Sequence, residues 1–228
     1  REMCIRDRIN VPITLIALTG HEFAHGWVST KLGDPTPERE GRLTLNPLAH
    51  LDPVGTLLMI LTGFDWAKPV GVNPSYYKDT KKGMALTAAA GPLANLIMAF
   101  AALLIYAILH VLCIKLGFGT SVLNGVATFA QLFAIRNLCF MVFNIIPIPP
   151  LDGAKVLGMF LTNKAYYTML RYERYSMLLI MVLSLTGVLN GIIGTGVNFF
   201  FNGIINLLNS AINLILSLIH ISEPTRRT

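Results

Sequence analysis

The sequence predicts an all-α, polytopic membrane protein, and three observations support this fold class. Of its 228 residues, 54% are hydrophobic and only 13% are charged, with a mean hydropathy of +0.60. Five apolar segments each approach the ~20 residues that a helix needs to cross a bilayer. The basic residues cluster in alternate loops, as the loops on one side of a membrane would. The +6 net charge is not interleaved with stacking aromatic residues, so no nucleic-acid partner is predicted.

The apolar segments define the predicted elements in chain order. About five spanning helices are expected, at residues 9–28, 84–112, 122–146, 176–193 and 197–219. Residues 51–64 are apolar but too short to span, and they predict a re-entrant or interfacial segment covered by protein or by a wet cavity. Residues 1–221 are expected to form a single domain. The polar residues 222–228 are interpreted as a tail, which need not be native.

Two short runs predict a small β-hairpin at the membrane face. Residues 42–45 alternate polar and apolar side chains, and residues 69–72 form a second short extended run. An exposed edge of such a hairpin could pair with an unwound substrate strand. A purely structural hairpin explains the same pattern equally well.

Loop charges predict which side of the membrane each loop occupies. Basic clusters precede the second and fourth predicted spans and follow the fifth, at Lys68, Lys78, Lys81, Lys82, Lys164, Arg171, Arg174, Arg226 and Arg227. Two-span steps place all three clusters on one side, which the positive-inside rule makes cytoplasmic. Arg6 and Arg8 lie at the opposite end of the first span, against this rule. Because the sequence also starts at Arg1 rather than Met, a further helix is expected upstream.

The pattern H-E-x-x-H occurs at His21–His25 inside the first predicted span. Residues four apart share one helix face, so His21 and His25 can offer imidazole nitrogens to the same ion. Glu22 is placed to act as a general base on water, and Zn²⁺ is the metal expected for such ligands. Ionisable groups inside a membrane span are costly and indicate function by default. Chance occurrence of the pattern is the alternative.

A third ligand is needed, and several acidic or imidazole side chains compete for the role. Glu38, Glu40, His50 and Asp52 lie close to H-E-x-x-H along the chain. Asp152 ends the stretch NIIPIPPLDG, whose three prolines must break the third long span. A carboxylate at a broken intramembrane helix is expensive unless it binds something, which favours Asp152. The alternative is that Asp152 caps the helix that begins near Gly153.

Five motifs in this order resemble the site-2 protease family of intramembrane zinc metalloproteases, and most closely its compact prokaryotic members without an inserted PDZ domain. The motifs are HEFAHGW, GRLTLNPLAHLDPVGT, AKPV, AGPLAN and FNIIPIPPLDG. The resemblance implies that His21, His25 and Asp152 hold the zinc and that Glu22 is the base. It also implies that Asn144 lies near the scissile carbonyl. Family members commonly have a helix before the H-E-x-x-H helix, in agreement with the upstream helix expected here.

Two further polar residues are candidates for contact with substrate. Asn95 lies one helical turn beyond Gly91 on a small-residue face, where helices can approach closely. Helix packing is the first interpretation of this face, and a hydrogen bond from Asn95 to the cleft is the second. His50 could bridge the loop to the site, but a hydrogen bond that stabilises the loop is the favoured role. The three cysteines have no pattern that predicts a disulfide or a thiolate metal site.

The predicted function is zinc-dependent hydrolysis of peptide bonds in or next to transmembrane segments of membrane proteins, as in regulated intramembrane proteolysis. The expected location is a prokaryotic cell membrane, with the site towards the cytoplasm and the lipid bilayer around it. Two alternatives are a metal-ion transporter and an inactive homologue that binds membrane segments. A transporter would not need Glu22, and an inactive homologue would not need an intact HEFAH and LDG.

Overall fold

The structure is a computed structural model that describes residues 2–50, 69–116 and 120–222. Within these ranges the regular structure is helical. The α-helices are α1 (Glu2–Lys31), α2 (Thr36–Arg39), α3 (Thr80–Leu116), α4 (Thr120–Ile145), α5 (Asp152–Gly158), α6 (Asn163–Arg171), α7 (Glu173–Leu185) and α8 (Val188–Ser222). Two short 3₁₀ turns, Pro47–Ala49 and Pro74–Tyr76, interrupt the loops, and each follows an asparagine whose side chain caps it.

Helix α3 is the centre of the bundle, because α1, α4 and α5 all pack against it. The main apolar core lies between α3, α4 and α8. Its buried residues are Ala99, Leu103, Ala134, Leu138, Met141, Val197, Ile204 and Leu208. Alanine on both α3 and α4 allows close approach of these two long helices, which is the usual packing of helices in membranes. The core therefore fixes the frame against which α1 and α5 are positioned.

The prediction of about five spanning helices is wrong, since three helices of the described ranges are long and apolar enough to cross a membrane. These are Thr80–Cys113, Leu123–Ile145 and Val188–Asn213. The first predicted span does form a helix, α1, with 30 residues. Its mean hydropathy is lowered by polar residues that include the histidines and glutamate of HEFAH. The ionisable residues that indicate a functional site in α1 therefore also make this helix less apolar than a typical membrane span.

The predicted span at residues 176–193 is divided between two helices. Helix α7 has only 13 residues and ends at Leu185, and α8 begins at Val188. Gly187 lies between them with a φ of +77°, a left-handed conformation that suits glycine and interrupts a helix. At 1.5 Å per residue α7 is about 20 Å long, less than the ~30 Å thickness of a bilayer core. The last predicted span forms part of α8.

The predicted β-hairpin is also wrong, because neither run forms a strand in the described part of the chain. The loop after α2 closes on itself: Arg42 donates to the Ala49 carbonyl, and His50 donates to the Thr44 carbonyl. In the other run the backbone amide of Val70 donates to the Glu22 carboxylate, and the backbone amide of Asn73, directly after the run, donates to the Asp34 carboxylate. Backbone donors committed in this way cannot form a sheet ladder. The predicted re-entrant segment, residues 51–64, lies outside the described residues.

Candidate metal centre

Helix α1 carries the two histidines and the glutamate of H-E-x-x-H on its buried side. His21 is 4% exposed, and Glu22 and His25 are each 9% exposed. One ligand atom from each of the three side chains lies within 4.8 Å of the other two. The rings of His21 and His25 meet edge to face, with centroids 4.5 Å apart, and the four-residue spacing on one helix face allows this contact. The helix therefore presents a preassembled pair of imidazoles.

Asp152 reaches the same point from a distant part of the sequence. It is the first residue of α5, and the N-cap position belongs to Leu151, which makes no side-chain capping bond. The Asp152 carboxylate is thus directed at α1 rather than at its own helix end. Gly153 makes this possible, because a Cβ there would overlap the Ile145 carbonyl at the end of α4. The glycine of LDG permits the tight turn that carries the carboxylate inwards.

The three candidate ligands converge on a single point. Oδ2 of Asp152 lies 3.2 Å from Nε2 of His21 and 3.1 Å from Nε2 of His25. The two Nε2 atoms lie 3.0 Å apart. Ligands of a tetrahedral zinc ion are about 3.3 Å from one another, because each is about 2.0–2.1 Å from the metal. The triangle of donor atoms therefore has close to the dimensions of three zinc ligands.

Hydrogen bonding at the far side of each ring explains why this triangle fits a cation. Nδ1 of His21 donates to Oδ1 of Asn95, at 2.6 Å, and Nδ1 of His25 donates to the Thr87 carbonyl, at 2.7 Å. In a neutral imidazole whose Nδ1 carries the hydrogen, Nε2 holds a lone pair. Two such lone pairs and a carboxylate oxygen facing one another repel unless a cation joins them. The donor set of two imidazoles and one carboxylate is the one expected for catalytic zinc.

A pair of buried carboxamides supports His21 within the helix bundle. The Asn95 amide nitrogen donates to Oδ1 of Asn137, at 2.9 Å, and to the Ala17 carbonyl, at 3.2 Å. The Asn137 amide in turn donates to the Phe133 carbonyl. Both asparagines are fully buried. This arrangement fixes the ring orientation and hydrogen position of His21, as partners of metal-bound histidines generally do.

A different network supports His25 and runs from the bundle to the loop after α1. The Thr87 hydroxyl is hydrogen-bonded to that of Tyr77, which is bonded to Ser29. Ser29 donates to Oδ2 of Asp34, at 2.8 Å, and Asp34 is fully buried. The backbone amide of Asn73 also donates to Oδ2 of Asp34, at 2.7 Å. The network therefore ties the loop at residues 69–79 to α1.

The Asp34 carboxylate is the charged end of this network. Burial alone would raise the pKa of Asp34. Hydrogen bonds from Thr36, Asn73 and Ser29 outweigh that effect and hold the pKa below its ordinary value of 3.8. The carboxylate is consequently ionised at neutral pH and can accept all three bonds.

Gly91 controls how closely α3 approaches the histidines. A Cβ at this position would lie 2.5 Å from Cε1 of His21 and 2.5 Å from Nε2 of His25. Thr87, Gly91 and Asn95 follow one another at four-residue intervals, so they form one stripe on the face of α3 that meets α1. The stripe supplies a carbonyl to one ring, space for both rings, and a carboxamide to the other.

A cavity of about 180 Å³ opens beside the three ligands. Its lining includes Glu22, Val70, Met84, Asn144, Asp152 and Lys155. Oε2 of Glu22 accepts a hydrogen bond from the Val70 amide, at 3.0 Å, which directs the carboxylate to the cavity wall. The Asn144 amide donates to the Phe140 carbonyl, one turn earlier on α4. The cavity thus contains a base, an amide donor and the edge of the ligand triangle.

The structure does not bring all the sequence candidates to this cavity. His50 is buried in the loop after α2, where it donates to the Thr44 carbonyl. Asn95 lies behind His21, with its side chain committed to His21, Ala17 and Asn137. The other third-ligand candidates are Glu38 and Glu40, which are exposed around the end of α2, and Asp52, which lies outside the described residues.

Sequence reasoning missed three residues that the structure places around the site. Thr87 acts through its backbone carbonyl, Asn137 acts through Asn95, and Lys155 contacts Asp152. The four-residue spacing of Thr87, Gly91 and Asn95 is a signal that could have found the first. Asn137 gave a weaker signal, as a polar side chain within an apolar segment. Lys155 also gave a weaker signal, as a basic residue one helical turn after the candidate ligand Asp152.

Similarity to known proteins decides the family. The chain is 37% identical over 175 residues to YwhC of Bacillus subtilis (strain 168), a protein named as a candidate zinc metalloprotease, and the match covers 76% of this chain and 79% of YwhC. The family model for peptidase family M50 matches residues 107–189, which contain Asn144 and Asp152. The chain belongs to peptidase family M50. This confirms the resemblance to the site-2 protease family and identifies the protein as a membrane metalloprotease.

Further relatives have names that agree with this assignment. Rip2 of Mycolicibacterium smegmatis, also named as a candidate zinc metalloprotease, is 30% identical over 203 residues, with 86% of this chain and 75% of Rip2 covered. Rip2 of Mycobacterium tuberculosis (strain H37Rv) is 29% identical over 185 residues, which are 78% of this chain and 66% of that protein. No solved structure matches the chain. The names of these relatives and the donor set described above support the predicted zinc cofactor.

Proposed function

We propose that this chain is an intramembrane zinc endopeptidase that cuts peptide bonds in or next to transmembrane segments of membrane-protein substrates, as in regulated intramembrane proteolysis. One observation carries the proposal: the candidate metal centre is built against the interior of a candidate membrane span. That span begins at Thr80, and the contacts of the two histidines on it are at Thr87, Gly91 and Asn95. At 1.5 Å per residue these lie about 10 to 22 Å along the helix.

The size of the cavity argues that a substrate enters as an extended chain. A helix with its side chains is about 10–12 Å across. One turn of such a helix fills roughly 400 Å³ or more, which exceeds the cavity volume of about 180 Å³. A transmembrane substrate would therefore have to unwind before its backbone reaches Glu22.

The residues of the chain can then be given roles in hydrolysis. His21, His25 and Asp152 would hold the zinc ion, which when bound lowers the pKa of water and polarises a carbonyl. Glu22 takes a proton from the attacking water and delivers it to the leaving amine. Asn144 donates to the oxyanion of the scissile carbonyl: its amide has two hydrogens, and the bond to Phe140 uses one.

The same proposal includes a location and a domain arrangement. We place the protein in a prokaryotic cell membrane, with residues 1–221 acting as one domain and the site towards the cytoplasm. Basic residues at the start of α3 support that orientation. Ser75, in the exposed loop before α3, offers a test in a variant without native cysteines. Ser75→Cys should react with a membrane-impermeant thiol reagent only after the cells are opened, and labelling of intact cells would contradict the orientation.

The activity is tested with the purified protein in detergent, loaded with zinc and given a model transmembrane substrate. Glu22→Gln should lower the cleavage rate by about 10²–10⁴-fold, the range for loss of a general base, while zinc content stays unchanged. Glu38→Gln, which changes an exposed glutamate, is the matched control and should cleave normally.

A second arm tests the intramembrane substrate. A soluble peptide that carries the same scissile sequence should be cut much more slowly than the transmembrane substrate. Full activity of Glu22→Gln would contradict the assigned base, and preference for the soluble peptide would contradict the substrate class.

A further inference from the structure

Lys155 lies one helical turn after Asp152 on α5 and contacts its carboxylate. Nζ of Lys155 lies 3.3 Å from Oδ1 of Asp152, and the lysine side chain is 37% exposed where it lines the cavity. The two oxygens of Asp152 have different partners. Oδ2 is the atom that lies 3.1–3.2 Å from both histidines, and Oδ1 is the atom that faces Lys155.

The different partners of the two Asp152 oxygens matter because a carboxylate can bind a metal with one oxygen or with both. Catalytic zinc sites have three protein ligands and keep a further position open for water or substrate. If both oxygens of Asp152 bound the ion, the second would compete for that position. A cation that holds Oδ1 favours binding through Oδ2 alone.

We infer that Lys155 is a positioning residue that holds Oδ1 of Asp152 so that the carboxylate binds zinc through Oδ2 and leaves a coordination position open. The inference rests on the proposed function, because it assumes that Asp152 is a metal ligand. The short helix α5 brings both residues to the site together, since Asp152 and Lys155 are three residues apart on one face. Lys155 thereby acts on the reaction through Asp152 and not by its own contact with substrate.

The chain contains a matched pair that serves as the control. Lys82 and Asp79 have the same three-residue spacing, with a distance of 3.7 Å between the charged groups. Their side chains are 71% and 50% exposed, and they lie outside the metal centre. Removing Lys82 therefore removes a lysine–aspartate pair of the same kind with no effect on the zinc ligands.

The test uses the whole protein in detergent with Co²⁺ in place of zinc. The visible absorption bands of Co²⁺ become weaker when its coordination number rises from four to five. Lys155→Met keeps an unbranched side chain, one heavy atom shorter, and removes its charge. We expect weaker cobalt bands in Lys155→Met, and an affinity of the cobalt site for added azide that is about tenfold lower, the lower end of the range for loss of an outer partner. Lys155→Arg should restore both, and Lys82→Met should match the wild type.

Cleavage of the transmembrane substrate supplies an independent readout. With zinc, Lys155→Met should lower kcat more than it raises KM, because the lost interaction prepares the reacting centre rather than the binding of substrate. Lys155→Gln provides a second uncharged variant if Lys155→Met does not fold.

The outcomes separate this inference from the function on which it rests. Wild-type cobalt bands and azide affinity in Lys155→Met would overturn it, as would a change that Lys155→Arg fails to restore. A wild-type protein that binds neither cobalt nor zinc at Asp152 would instead contradict the proposed function.

Discussion

His21 and His25 lie four residues apart on α1, yet two different regions of the molecule support them. The inner region supports His21 through the side chains of Asn95 and Asn137, between three helices. The loop region supports His25 through a backbone carbonyl, that of Thr87, and only then through side chains that lead to Asp34. The contrast teaches that one ligand depends on the identity of a side chain, whereas the other depends on the path of the backbone.

The two regions also differ in charge. The inner region is made of neutral amides, which can satisfy one another inside the bundle without an ion. The loop region ends at the ionised carboxylate of Asp34, beyond the end of α1. This carboxylate accepts hydrogen bonds from the backbone amides of Thr36 and Asn73. Mutations in the inner region should therefore change metal affinity most, and those in the loop region should change stability and its dependence on pH.

The largest effect on zinc affinity is expected from Asn95→Leu. Leucine removes the acceptor of the His21 ring and leaves the polar partners of Asn95 unsatisfied, at about 1–3 kcal/mol for each buried group. Zinc affinity should fall by about 10–100-fold, as for other outer partners of metal-bound histidines. Competition with a chelator measures this. Asn202→Leu, on the exposed side of α8, is the control, and an unchanged affinity in Asn95→Leu would remove the distinction between the regions.

A smaller effect on zinc but a clear effect on stability is expected from Asp34→Asn. The variant replaces one carboxylate oxygen by an NH₂ group. If this group takes the place of Oδ2, it faces the Ser29 hydroxyl and the Asn73 backbone amide, which are both donors to Oδ2 in the wild type. The free energy of unfolding should fall by about 1–3 kcal/mol at neutral pH. Zinc affinity should fall by less than about tenfold, because the carbonyl that holds His25 remains. Denaturant titration in detergent and chelator competition measure the two quantities.

The dependence on pH provides a sharper form of the same test. Because the pKa of Asp34 is lower in the folded state than its ordinary value of 3.8, its contribution to stability is present above that value. The contribution is lost as the pH falls through the lowered folded-state pKa. The difference in stability between the wild type and Asp34→Asn should hence be constant near neutral pH and shrink below about pH 4. A difference that grows with acidity would contradict the assigned role.

The smallest effect is expected from Thr87→Val. Valine keeps the backbone carbonyl that accepts from His25 and removes only the hydroxyl bonded to Tyr77. Since Tyr77 retains its bond to Ser29, we expect a loss of about 1 kcal/mol in stability and no change in zinc affinity. Thermal unfolding and chelator competition are the measurements. If zinc affinity fell as far as in Asn95→Leu, the side chain rather than the carbonyl would be supporting His25.

The parts of the site that follow from local geometry were accessible from the sequence. The four-residue spacing placed His21 and His25 on one helix face, and the prolines before Asp152 indicated a broken helix that carries a carboxylate inwards. The structure brings these three residues together. The roles of Thr87 and Asn137 were not accessible, because they depend on the rotation of α3 and α4 about their axes, which the apolar pattern of a buried helix does not specify.

The errors in the predicted fold have two physical causes. The alternation at residues 42–45 indicated a strand, but local hydrogen bonds of Arg42 and His50 close the loop instead. Continuous apolar character at residues 176–193 indicated one span, but the backbone turns at Gly187. Hydropathy reports the environment of side chains and does not report where a backbone changes direction.

The central claim is that His21, His25 and Asp152 hold one zinc ion, and X-ray absorption at the zinc edge tests it most directly. For the purified protein in detergent, the account predicts a first shell of nitrogen and oxygen only, at about 2.0–2.1 Å, with two imidazoles. In Asp152→Ala the shell should lose one light atom or the zinc should be lost. A sulfur shell near 2.3 Å, or a wild-type spectrum in Asp152→Ala, would contradict the assigned ligands.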